Sequence, residues 1–184
     1  MSRGFYDEPI TVAITTATEG AIIYYSTNGS DPGPGSVFTP GKKYTEPLAI
    51  EETTVLRARA YKDGIEPTNI DTHTYLFTKD VIRQEDEPDG YPARWESNQT
   101  ADYEMDPDVV DDPAYKDDIE AALRDIPTIS VVTDRDNLFG SNGMYLNVTK
   151  RPQQGEGADF RYELAASAEL INVDRAPTQA PSGL

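Results

Sequence analysis

The chain has 184 residues, 33 acidic and 16 basic, for a formal charge of -17; its length fits one medium domain, or a small domain with an extension. Only 37% of residues are apolar, which allows a modest core, and the acid surplus argues against nucleic acid, whose binding rests on clustered Lys and Arg. No apolar run approaches the roughly 20 residues of a membrane span, no apolar stretch follows Arg3 to make a signal peptide, and with no Cys there is neither a disulfide nor a thiolate site.

In chain order, Ile10, Val12 and Ile14 alternate with Thr11, Ala13 and Thr15, the period of a half-buried strand. Ala21 to Tyr25 is a second β-prone run, and Asn28-Gly29 after it tolerates the positive φ of a tight turn. The Asp31-Pro32-Gly33-Pro34-Gly35 stretch reads as loop. Leu48 and Ile50 predict a short strand. From Thr54 to Tyr61, Leu56, Ala58 and Ala60 face one way while Arg57 and Arg59 face the other. Asp63-Gly64 makes the next turn, and Thr72 to Phe77 forms another strand. Short strands between turn signals predict a sandwich, and about seven are needed for an immunoglobulin-like one.

Residues 80–126 differ from their flanks. They hold 16 acids and 4 bases, against 10 and 7 in residues 1–79 and 7 and 5 in residues 127–184. Such a segment is the natural place for a linker or a cation-facing surface. Trp95 is expected to pin it to a neighbour, because a buried indole removes a large area from water. Asp106, Asp108, Asp111 and Asp112 are dense enough to attract Ca²⁺, which prefers several oxygen ligands. Their spacing lacks the Gly and terminal Glu of an EF-hand loop, so a solvated acidic surface is the default reading and no cofactor is expected. Asp112 to Arg124, with Ile119, Ala122 and Leu123 at helical spacing, predicts a short helix stopped by Pro127. Thr128 to Val132 predicts a strand, Met144 to Val148 a second, joined across a loop at residues 137–143. The tail from Asn172 to Leu184 is small, polar and proline-bearing, and is expected to be disordered.

The series Pro9…Val12…Ala21-x-Ile23-Tyr24-Tyr25-x-Thr27-x-Gly29-Ser30-x-Pro32 resembles the immunoglobulin-like domain at the C-terminus of chitobiases and β-hexosaminidases. So does its continuation, Tyr44-x-x-Pro47-Leu48-x-Ile50, Thr54-x-Leu56-Arg57-Ala58-x-Ala60, Gly64-x-x-Pro67-Thr68 and Thr74-Tyr75. The resemblance covers roughly residues 5–78, with Asn28 where the family commonly has Asp. It implies an all-β accessory domain of secreted or cell-surface proteins, with no catalytic residues and no ligand fixed by the fold. A second stretch, Ala122-Leu123-x-x-Ile126-Pro127-Thr128 through Thr133-Asp134, with Asn137-Leu138-Phe139 and Gly143-Met144-Tyr145, resembles the opening of CotH-like kinase domains. Where that family has Trp-Glu-Arg-Pro, this chain has Tyr162-Glu163-Leu164-Ala165. The carboxylates that handle metal and ATP in such kinases lie further along, so none can be assigned here.

These readings assemble into a mainly β chain. An immunoglobulin-like antiparallel β-sandwich occupies residues 3–79, and an acidic linker ending in a short helix spans 80–126. A small, partly irregular α+β extension resembling the start of a CotH-like kinase fills 127–172, followed by the tail at 173–184. The expected function is that of a noncatalytic accessory or interaction module of a secreted or cell-surface bacterial protein, with carbohydrate or another domain of the parent protein as partner. The alternative is the front of a CotH-like kinase without its catalytic residues. Tyr24, Tyr25 and Tyr44 are the candidate carbohydrate-stacking residues, since their rings offer broad apolar faces; in a sandwich, tyrosines more often pack across strands. His73, the single histidine, has no second imidazole with which to share a metal.

Overall fold

The computed structural model describes residues 1–35, 40–94, 99–140, 143–145, 164–172 and 175–179. It is mainly β, with three sheets and four short helices among the described residues. Trp95 and the expected strand residues 146–148 lie outside those described.

Seven strands make the sandwich. They are β1 (Gly4–Phe5), β2 (Ile10–Val12), β3 (Ile22–Ser26), β4 (Lys42–Lys43), β5 (Leu48–Ile50), β6 (Thr54–Tyr61) and β7 (Asp71–Leu76). One sheet runs β1-β7-β6-β3-β4 and the other pairs β2 with β5. All pairings are antiparallel except that of β1 with β7. The alternation of Ile10 and Val12 buries both while Thr11 stays exposed. These two side chains meet Ile50, Leu56, Tyr75 and Phe77 between the sheets, with Tyr6, Ile14, Tyr25 and Leu48 packed around them. Register carries the same face across the sheet, because Leu56 lies opposite His73 and Thr54 opposite Tyr75. Arg57 and Thr72 share the other face, as do Val55 and Thr74. Gly29 takes the positive φ (77°) expected of its turn, and the space beside its Cα is filled by Val55 and Val132.

That second face of the five-stranded sheet is covered at its β7 end. Strands β8 (Thr128–Thr133), β9 (Ala166–Asn172) and β10 (Arg175–Gln179) form an antiparallel sheet in the order β10-β9-β8. Thr72 donates to Ser167 Oγ at 2.9 Å, and Thr74 lies 2.7 Å from Ser130 Oγ and 2.5 Å from Glu169 Oε2. The molecule is therefore a β-sandwich with a small α+β extension laid on its outer face.

The four helices are α1 (Thr78–Val81), α2 (Pro107–Val110), α3 (Ile119–Asp125) and α4 (Arg135–Phe139). The acidic segment is tied to the sandwich rather than strung beyond it. Ala101, Val110 and Ile119 are buried, and α3 packs on α1. Arg124 reaches Asp7 at 2.5 Å and Thr78 Oγ1 at 3.0 Å.

Three expectations change. The helix predicted over 112–124 begins only at Ile119, because the Asp112 and Tyr115 carbonyls first accept a succession of turn bonds. The described partner of the 128–133 strand is β9; of the expected partner residues 144–148, Met144 and Tyr145 lie in a turn and the other three lie outside the described residues. Residues 175–179 of the expected disordered tail pair with β9, which supplies the backbone partners that their composition does not advertise.

Candidate functional site

Strand β3 places Tyr24 and Tyr25 on opposite faces of its sheet, as the period of two requires. Tyr25 lies on the core face, edge-on to Tyr44 at 6.4 Å between ring centroids. The Tyr44 hydroxyl accepts from the Ile14 backbone N–H at 3.1 Å, so this pair braces the core rim. Tyr24 lies on the other face, edge-on to Tyr61 at 5.6 Å, and the Arg59 guanidinium sits 5.7 Å from the Tyr61 ring centre. The three candidate tyrosines thus divide into a core-facing pair and one ring on an outward, half-buried face. The outward group is Tyr24-Tyr61-Arg59, two rings and a cation side by side. A second aromatic run passes from Tyr103 through Tyr91 and Phe139 to Tyr145, with Arg135 against Tyr91.

The four candidate calcium carboxylates are spread along the loops around α2. Asp106 caps α2 by accepting from the Asp108 N–H at 2.9 Å, while Asp108 lies exposed in the first turn. Asp111 pairs with Arg83 at 2.8 Å, and this guanidinium holds its carboxyl below the usual carboxylate range. Asp112 accepts from the Ala114 N–H at 2.7 Å. Among the described residues no three acidic or imidazole side chains converge as a metal site would require.

The densest polar constellation lies where the second sheet meets the sandwich. Glu169 is fully buried and is held by Arg3 at 2.8 Å and by Thr74. A carboxylate removed from water needs such partners. Further along, Asp134 caps α4 by accepting from Asp136, and its other oxygen accepts from the Asp31 N–H at 3.2 Å. Buried Arg57 lies beneath, donating to the Gly29 carbonyl at 3.0 Å. Burial pulls the Arg57 guanidinium below its usual range, and Asp31 and Asp134 act in the opposite sense. Asp134 is thus both a helix cap and a docking group, joining α4 to the loop at Asp31.

Sequence reasoning missed Glu169, Arg3 and the hydroxyls of Thr72, Thr74, Ser130 and Ser167. A signal for them existed: Ser167, Glu169 and Ile171 alternate with Ala168 and Leu170, a strand whose polar side carries one acid. What it lacked was any sign that the polar side faces inward.

No curated protein and no solved structure matches the chain. The resemblance of residues 122–170 to CotH-like kinases gains no support from comparison with known families. Residues 1–72, the sandwich up to the start of β7, match the family model described as the chitobiase/beta-hexosaminidase C-terminal domain.

Proposed function

We propose that the chain is a noncatalytic accessory module of a secreted or cell-surface bacterial protein, and that its sandwich associates with carbohydrate. The observation that carries this reading is the match of residues 1–72 to a domain family named for chitobiase and β-hexosaminidase. The outward Tyr24-Tyr61-Arg59 group supports the carbohydrate part. Its rings offer apolar surface for a sugar face, and the guanidinium beside them offers donors for hydroxyl or acetamido oxygens. Tyr25 and Tyr44 act by holding the core rim beneath that surface.

The test is a glycan array followed by calorimetry with N-acetylglucosamine oligomers. Saturable binding is expected, weakened about tenfold by Tyr24→Ala, the loss of one aromatic contact. Tyr44→Ala is expected to lower the melting temperature instead, since it removes a packing contact and an acceptor. A blank array, or binding indifferent to Tyr24, removes the carbohydrate role.

A further inference from the structure

The second sheet carries apolar side chains on both faces. Its inward face presents Ser130, Ser167 and Glu169 to the sandwich together with buried Val132 and Ile171, whereas its outward face presents Ile129, Val131 and Leu170. These three are 68%, 66% and 43% exposed. A sheet with one face in water ordinarily turns its polar residues outward, so this face is built to be covered.

Beside it, β8 has no second strand partner among the described residues. β8 ends its sheet, and among the described residues no backbone hydrogen bond reaches it other than from β9. Natural sheets blunt such edges with short strands, lysines, prolines or bulges. The other edges here follow that practice: β1 has two residues, β2 and β5 have three each, β4 is Lys42-Lys43, and β10 contains Pro177 and a register shift. β8 has six residues, Thr-Ile-Ser-Val-Val-Thr, with no charge and no proline.

We propose that β8 is a receptor edge for strand addition, taking an extended segment of a partner polypeptide that is apolar at alternate positions and flanked by Lys or Arg. Backbone bonds to β8 supply the affinity, and the alternate apolar side chains extend the Ile129-Val131-Leu170 face. The charge preference follows from the flanks, because Asp125 precedes β8 and Asp134 and Asp136 follow it, on a chain of charge -17. The same charges select against a second copy of this chain. Antiparallel self-pairing centred on Ser130 and Val131 brings Asp125 of one copy toward Asp134 and Asp136 of the other, and like charges in register oppose association. This inference goes beyond the accessory-module reading and does not depend on carbohydrate binding at Tyr24.

The probe is a fluorescein-labelled peptide of alternating valine and threonine with a lysine pair at each end, titrated with the intact chain by anisotropy. Saturable binding is expected, weakened roughly tenfold or more when alternate peptide nitrogens are methylated, which removes the strand's donors but keeps its charge. Ile129→Glu/Val131→Glu is expected to weaken it to a similar extent, although the added acids attract the lysines. Because both positions are exposed the variant should fold, and circular dichroism checks this; the methylated peptide on the unaltered chain tests the edge without any substitution. Equal binding of methylated and unmethylated peptides means attraction by charge alone and overturns the proposal. So do absence of saturable binding and sedimentation of the free chain as a dimer that Val131→Glu dissociates.

Discussion

Glu169 is the residue on which the attachment of the second sheet turns. Its carboxylate is fully buried, and Arg3 supplies the compensating charge from the far end of the chain. Removing one partner of such a pair leaves a charge without water or counterion, whereas replacing both with apolar groups can be close to neutral. Arg3→Ala should therefore destabilise the protein by about 3 kcal/mol. Arg3→Met/Glu169→Leu should recover most of that loss, as read from denaturant midpoints. Additive losses would show that the two side chains act independently. Tyr75 makes a second test at this scale. Burial, then the neighbouring Tyr6 and Glu169, push its phenol up to about 12. A folded-state value above the unfolded value of about 10 contributes stability that is fully present below pH 10. That contribution is lost as the pH rises through 12. Tyr75→Phe should flatten the alkaline limb of stability against pH; an unchanged limb would assign it to other groups.

Among the elements, α3 shows how an acidic segment is docked despite its charge. Ile119 is buried at its start, while Arg124 in its last turn bridges Asp7 and Thr78 and lies 5.8 Å from the Phe5 ring centre. One cation thus reaches the sandwich from within a segment of sixteen acids. Arg124→Ala should raise amide exchange through residues 119–125 and leave β6 and β7 protected, because only the local docking is lost. Uniform loss of protection would mean that α3 is integral to the global fold. The loops flanking α2 bear on calcium. Asp106, Asp111 and Asp112 already serve a cap, an ion pair and a turn, respectively. CaCl₂ should consequently stabilise the chain no more than NaCl at equal ionic strength, as thermal melts in matched series would reveal. A larger calcium effect would indicate that these carboxylates leave their local partners to converge.

Across the whole molecule, 33 acids face 16 bases, and the excess repels itself over distances that salt shortens to about 8–10 Å near physiological ionic strength. Added NaCl should raise the melting temperature. A fall would mean that ion pairs such as Arg83–Asp111 and Arg124–Asp7 outweigh the repulsion. The layering sharpens that expectation: a two-stranded sheet, a five-stranded sheet and a three-stranded sheet are stacked around one apolar interface and one whose buried polar bonds sit beside Val132 and Ile171. The apolar interface is indifferent to salt screening. The polar one is shielded from it by burial.

The amino-acid order by itself determined the sandwich, because its information is local. Ile10 and Val12 against Thr11, Leu56 and Ala60 against Arg57, and the positive-φ turn at Asn28-Gly29 each need only neighbours in sequence to be legible. The match to the chitobiase/beta-hexosaminidase domain model covers this same stretch, residues 1–72. The split of Tyr24 from Tyr25 also follows from strand period alone. What only the tertiary structure decided is which side of β8 and β9 faces inward. Alternation reveals two faces but not their sense, and the usual rule assigns the apolar one to the core. Here Thr72 and Thr74 of β7 accept the polar face, with Arg3 neutralising Glu169 from 166 residues away. The strand period records the two faces but not which of them finds such long-range partners, so the outward turn of Ile129, Val131 and Leu170 emerges only when the sheets are stacked.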